Sequence, residues 1–149
     1  DHFCPETVER LCANGRVTLF GDAACRRILS EYKGRYDFAV ADFHAEATGE
    51  KIAFANAFKN DFSIIFGTHT HVPTADEQVL DGCGYITDLG MCGPSNSVLG
   101  VKPEIIIRKL ETGMPCKFEP ADSPAVIQGA LFTLSSFNFR CTSVERIKA

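Results

Sequence analysis

The sequence predicts an α/β fold, and three observations carry that prediction. Short apolar runs alternate with stretches of helical apolar spacing. Two of the apolar runs stop at polar segments that carry histidine. After Pro115 the pattern turns to extended segments only. At 149 residues and 16.3 kDa the chain has the size of one ordinary domain.

The elements follow in order. Residues 16–20 read as a strand through Val17, Thr18, Leu19 and Phe20. Residues 23–32 read as a helix, with Asp22 suited to its N-cap and Gly34 to the left-handed position past its end. Residues 36–41 form a buried type of strand that meets Asp42. A second helix spans 48–59, with Thr48 as its cap and Ile52, Ala55 and Phe58 at helical spacing, the apolar face widened by Ala53, Phe54 and Ala57. A strongly apolar strand, 62–66, ends at Gly67. Short strands at 78–80 and 85–87 flank the turn Asp81-Gly82-Cys83-Gly84. A glycine-rich loop runs over 88–100, and Pro103 suits the first position of a helix reaching about Leu110. Extended segments near 117–119, 125–134 and 141–147 complete the chain as a hairpin or meander, with 135–140 as the connection.

Composition narrows the function. A hydrophobic share of 45% and a charged share of 23% exclude disorder as the dominant state. A net charge of −4 argues against electrostatic wrapping of duplex nucleic acid, which needs a basic face. It leaves room for a small anionic substrate, because a metal ion can outweigh the global balance. No window holds the roughly 18 apolar residues of a membrane helix. The seven cysteines are odd in number and none are spaced as C-x-x-C, so they read as small, soft, reduced side chains of a cytoplasmic protein. No signal-peptide pattern opens the chain, and its first residue is Asp1 instead of Met, which fits a fragment or a processed product.

The chemistry concentrates at two strand ends. Asp42-Phe43-His44-Ala45-Glu46 follows one buried strand, and Gly67-Thr68-His69-Thr70-His71 follows another. Ligands of open α/β sheets bind at the carboxyl ends of strands. His69 and His71 can aim imidazoles at one small volume, and neutral imidazole suits Zn, Fe, Mn or Ni. Gly67 lets the backbone turn sharply and approach a ligand closely. Thr68 and Thr70 supply hydroxyls for ligand-orienting or phosphate hydrogen bonds. Asp42 and Glu46 are acceptors able to orient His44 through its second nitrogen, although Asp42 also suits a turn cap and Glu46 a solvated surface. A His-x-His pattern alone arises often by chance; the third histidine at a second strand end raises its weight. The loop Asp88-Leu89-Gly90-Met91-Cys92-Gly93-Pro94-Ser95 can present amides to a phosphate but lacks the Gly-Lys-Ser/Thr ending of a Walker loop. Asp76, Asp81 and Asp88 are potential ligands, yet turns favour aspartate for conformational reasons. His2 reads as a surface residue.

These residues also carry a resemblance. The run 42–48, the run 67–72 with Thr74-Ala75-Asp76, and Tyr85-Ile86-Thr87-Asp88-Leu89-Gly90-Met91 closely resemble the YmdB-like family of calcineurin-like metallophosphoesterases. Gly93-Pro94, Leu99-Gly100 and Val144-Glu145-Arg146-Ile147 agree as well. The likeness covers about 36–134, while residues 1–15 remain unassigned. The resemblance implies a four-layered α/β/β/α sandwich with a mixed sheet and C-terminal antiparallel strands. It implies a phosphodiesterase that hydrolyses cyclic nucleotides, chiefly of the 2′,3′ type, through two divalent transition metals, Fe or Mn foremost and Zn as an alternative. By position, His44, His69 and His71 match the family's metal-binding histidines, with Asp42, Glu46, Thr68, Thr70 and Asp76 as supporting or substrate-binding groups.

The same comparison exposes a departure. The family's opening Gly-Asp-x-x-Gly, Glu-Asn and Asn-His motifs, which supply the remaining ligands and the catalytic histidine, do not occur here. The chain therefore resembles the C-terminal half of such an enzyme: a single incomplete domain with no catalytic residue identified in it. Three neutral ligands without a bridging carboxylate imply one weakly held metal and little turnover by this chain alone. An uncovered sheet edge implies self-association or a partner that supplies the absent half. A metal-binding or regulatory module without catalysis is the alternative. An amidohydrolase-type barrel is disfavoured, because it needs about 250 residues.

Overall fold

The structure, a computed structural model, describes residues 22–149. The strand predicted at 16–20 lies outside the described residues. Helix α1 (Asp22–Glu31) is followed by strand β1 (Val40–His44), helix α2 (Thr48–Phe58) and strand β2 (Ile64–Thr68). Strands β3 (Gln78–Leu80), β4 (Cys83–Ile86) and β5 (Gly93–Pro94) come next, then helix α3 (Pro103–Thr112) and strands β6 (Ala125–Val126), β7 (Gln128–Leu134) and β8 (Cys141–Lys148).

The first four strands make one mixed sheet in the order β1-β2-β4-β3. β1, β2 and β4 run parallel, so their carboxyl ends share one edge. β3 joins β4 in antiparallel fashion. Asp81 and Gly82 connect them at φ 50° and 84°, the backbone of a primed two-residue turn whose twist matches the strands it joins.

Side-chain alternation gives the sheet two buried faces. Phe43, Ile65, Cys83 and Tyr85 face one core, closed by Phe54, Ala55 and Phe58 of α2 with Phe62 and Cys25. On the opposite face the β7–β8 hairpin packs. A Cβ placed at Gly84 would stand 2.6 Å from both Cys141 Sγ and Phe132 Cδ1, and Phe66 meets Phe132 with ring centroids 6.5 Å apart. Arg140, in the hairpin connection, donates to the carbonyls of Lys59, Phe62 and Asp81 at 2.7, 3.1 and 2.9 Å and so ties the hairpin to the sheet. The α/β class, the mixed sheet and the antiparallel C-terminal strands are thus present.

Several local expectations are corrected. β1 starts at Val40 instead of residue 36, and β2 starts at Ile64 instead of 62. Parallel pairing from Val40↔Ile64 to His44↔Thr68 fixes where both become strands, and it makes His44 and Thr68 register partners. Helix α2 begins at Thr48 itself; Ala47 holds the cap position, with no capping side chain. Its buried face is Lys51, Phe54, Ala55 and Phe58, whereas Ile52, Ala53 and Ala57 face outward. The segment 117–119 forms no strand; Glu119 is held instead by Lys102, whose N–H donates to its carbonyl at 3.1 Å and whose Nζ donates to its carboxylate at 2.7 Å. The long strand expected over 125–134 divides at Ile127, whose amide turns aside to pair with Ala149. Cys83, Cys92, Cys116 and Cys141 carry free thiols. No helix among those residues is long and apolar enough to cross a membrane.

Gly67 marks the tightest packing in β2. A Cβ there would lie 1.8 Å from the Thr87 carbonyl oxygen and 2.7 Å from Cδ of Lys51. Its purpose is therefore close approach inside the sheet, instead of a sharp turn toward a ligand. Gly67→Ala should destabilise the fold by about 3 kcal/mol, read as a lowered urea midpoint, because neither the backbone of β4 nor the Lys51 stem has room to retreat.

Candidate metal centre

The carboxyl ends of β1, β2 and β4 bring three segments together: His44, the turn Thr68-His69-Thr70-His71, and Thr87-Asp88. His44 and His69 meet directly. Nε2 of His44 and Nδ1 of His69 stand 3.2 Å apart, with the rings edge to face at a centroid distance of 5.0 Å. Both residues are exposed.

Hydrogen bonding sets the tautomer of His44. The Thr68 hydroxyl donates to Oδ1 of Asp42 at 3.0 Å. Its proton is thereby committed, so at 3.0 Å from Nδ1 of His44 the Thr68 oxygen accepts. The proton of a neutral His44 then sits on Nδ1, and the Nε2 lone pair faces His69. Adjacent parallel strands in register make this relay, since Asp42, His44 and Thr68 all lie at the ends of β1 and β2.

The turn after β2 is strained. His69 has φ 123° and His71 φ 64°, conformations that side chains other than glycine adopt rarely. Asp88 anchors the peptide between them: its Oδ2 accepts from the Thr70 amide at 2.9 Å and from Nζ of Lys51 at 3.0 Å. Oδ1 accepts from the Gly90 amide at 3.0 Å. Lys51 and Asp88 are 1% and 0% exposed. The sequence leaves Asp88 open between a potential ligand and a turn aspartate and does not single out Lys51. The available signal was position: Lys51 lies three, four and seven residues before Phe54, Ala55 and Phe58, on the buried stripe of α2.

The remaining candidates are placed as follows. Thr70 uses its hydroxyl locally, donating to the Val72 carbonyl at 3.2 Å. Asp76 is turned to the protein: it accepts from the Thr87 amide at 3.2 Å and from the Thr87 hydroxyl, which in turn accepts from Tyr85. Glu46 is exposed and makes no hydrogen bond among the described residues. Convergence of all three histidines is not what the turn produces. Among the described residues no group of three or more His, Cys, Asp and Glu side chains is arranged to hold a metal ion. The two positive φ angles place His69 against His44, while His71 has no hydrogen-bond partner among the described residues.

Comparison with known proteins places the chain. Residues 15–147 match the family described as YmdB-like protein. The chain belongs to the YmdB-like family. A relative from Bacillus subtilis (strain 168), named 2′,3′-cyclic-nucleotide 2′-phosphodiesterase, is 37% identical over 121 residues, which cover 80% of this chain and 46% of that protein. A phosphatase crystal structure from Mycoplasma pneumoniae superposes with a TM-score of 0.79 at 38% identity, over 85% of this chain and 45% of that one. A hypothetical protein from Thermus thermophilus gives a TM-score of 0.78 at 34% identity, over 85% of this chain and 49% of its own. The chain thus spans less than half the length of each of these relatives.

Acid should loosen this site. Burial pushes the Asp88 carboxyl up, but hydrogen bonds from the Gly90 and Thr70 amides and from Lys51 outweigh it and hold the group below its ordinary 3.8. Asp76 is also lowered: burial again pushes up, and Thr74 and Thr87 more than compensate. Depressed carboxyls contribute stability that is present above their ordinary value and lost as pH falls through the lowered one. Urea titrations at about pH 6 and about pH 3 should show that loss, and Asp88→Asn should show a smaller difference between the two.

Proposed function

We propose that this chain supplies part of the metal centre of a phosphodiesterase acting on cyclic nucleotides of the 2′,3′ type. The reading rests first on the facing nitrogens of His44 and His69. Two imidazoles bound to one divalent metal, at bonds of about 2.0–2.1 Å, hold their nitrogens roughly 3 Å apart. The 3.2 Å separation fits that spacing. Family membership and the name of the Bacillus subtilis relative point to the same chemistry.

Divalent transition metals bound there, Fe or Mn foremost, would supply an activated hydroxide and neutralise phosphoryl oxygens. The chain's own residues do the holding. His44 offers Nε2 because Thr68 and Asp42 keep its proton on Nδ1. His69 offers Nδ1 from a backbone already bent toward His44. Such preorganisation removes the ordering cost that two free imidazoles would incur on binding. His71 forms no three-residue metal-binding group with the pair among the described residues and takes a lesser part. The Gly90 amide is occupied by Asp88 and Met91's by Gln128, so these two amides of the glycine-rich loop serve the protein instead of a phosphate.

Mn²⁺ binding by isothermal titration calorimetry tests the reading. His44→Ala and His69→Ala should each weaken binding by about 100-fold or more, and Thr68→Val by about 10- to 100-fold through loss of the tautomer relay. His71→Ala should cost less than about tenfold. Wild-type affinity in both His44→Ala and His69→Ala would refute the proposed centre.

A further inference from the structure

We propose that the buried Lys51–Asp88 pair is a positioning device for the imidazole of His69. The proposal rests on the metal-centre reading above and assigns the pair a role in it. Both side chains are almost completely enclosed. A lone Lys or Asp so deeply enclosed is unfavourable, so each requires the other. The pair also reaches beyond itself. One carboxylate oxygen of Asp88 takes the Thr70 amide together with Nζ of Lys51, and the other takes the Gly90 amide.

Thr70 lies between the two residues with positive φ, His69 and His71. Strained backbone persists only where its surroundings over-determine it. The Thr70 hydroxyl donates to the Val72 carbonyl and accepts from the Val72 amide, two residues on, a purely local pairing. Asp88 is the long-range anchor of that peptide, reaching it across 18 residues of sequence. Lys51 arrives by passing its stem over Gly67, where any Cβ would meet its Cδ. The chain of contacts runs from α2 through Lys51, Asp88 and the Thr70 amide to His69. Each link holds the next in place, and the last link sets the imidazole opposite His44.

The test uses the full chain with Lys51→Met and Asp88→Leu combined. Replacing a buried ion pair by apolar groups of similar volume generally preserves folding, but this replacement removes the acceptor for the Thr70 amide. A positioning role predicts that this double variant still unfolds cooperatively while Thr70 amide exchange, followed by NMR, accelerates at least about tenfold and the Mn²⁺ dissociation constant rises at least about tenfold. A folded double variant with wild-type Thr70 exchange and wild-type Mn²⁺ affinity overturns the proposal. Should that variant fail to fold, Asp88→Asn carries the comparison: acceleration confined to Thr70 and its neighbours supports positioning, and uniform acceleration that includes the Ile65 and Tyr85 amides overturns it. If the wild-type chain binds no Mn²⁺, the metal-centre reading falls, and the Thr70 exchange still decides whether the pair holds the turn.

Discussion

Two opposite charges sealed inside the protein, on Lys51 and Asp88, govern how the remaining parts must fit. The contact joins the first turn of α2 to Asp88, two residues past β4, and the stem of Lys51 crosses β2 on the way. It therefore spans the parallel part of the sheet. Separating such a buried pair by removing one partner typically costs about 3–5 kcal/mol, because the survivor is left charged without compensation. An exposed ion pair such as Lys102–Glu119 at 2.7 Å contributes far less, because water screens both charges. The requirement propagates outward. Gly67 must lack a side chain, the Thr87 carbonyl must approach β2, and the Thr70 amide must point inward.

The histidine pair inherits its geometry from the same edge of the sheet. Parallel pairing puts His44 and Thr68 side by side, and Asp42 lies two residues before His44 on the same strand face. One hydroxyl can then receive from His44 while giving its proton to Asp42. The result is an imidazole lone pair directed outward from the carboxyl end of β1, met by His69 from the turn after β2. Strand ends supply the direction and the anchored turn supplies the second nitrogen. Neither nitrogen is placed by burial, since both rings are exposed. Placement by hydrogen bonds instead of packing leaves the pair open to a ligand.

Much of the architecture was legible in the chain, and the misreadings share a cause. Alternating apolar runs identified the sheet and its helices because burial imposes periodicity locally. The ends of β1 and β2 were misjudged by two to four residues, because parallel register is a property of two strands together. The outward side of α2 was misassigned: Ile52, Ala53 and Ala57 are apolar yet face away from the core, whereas Lys51 is charged yet sealed inside. Hydropathy ranks lysine as a surface residue, and only a buried partner 37 residues away reverses that ranking. Asp76 and Asp88 read equally as potential ligands and as turn aspartates, and in the fold both accept from partly buried backbone amides.

By itself the sequence determined the α/β class, the histidines at two strand ends and membership of the YmdB-like family, because these depend on residue type and spacing along one chain. Tertiary structure alone decided which two imidazoles face each other, which nitrogen of His44 carries the proton, and why a lysine is buried at position 51. Those outcomes depend on strand register, on a strained turn and on a charge pair whose members are far apart in sequence. No local pattern encodes a distance between such groups; it exists only once the strands are paired.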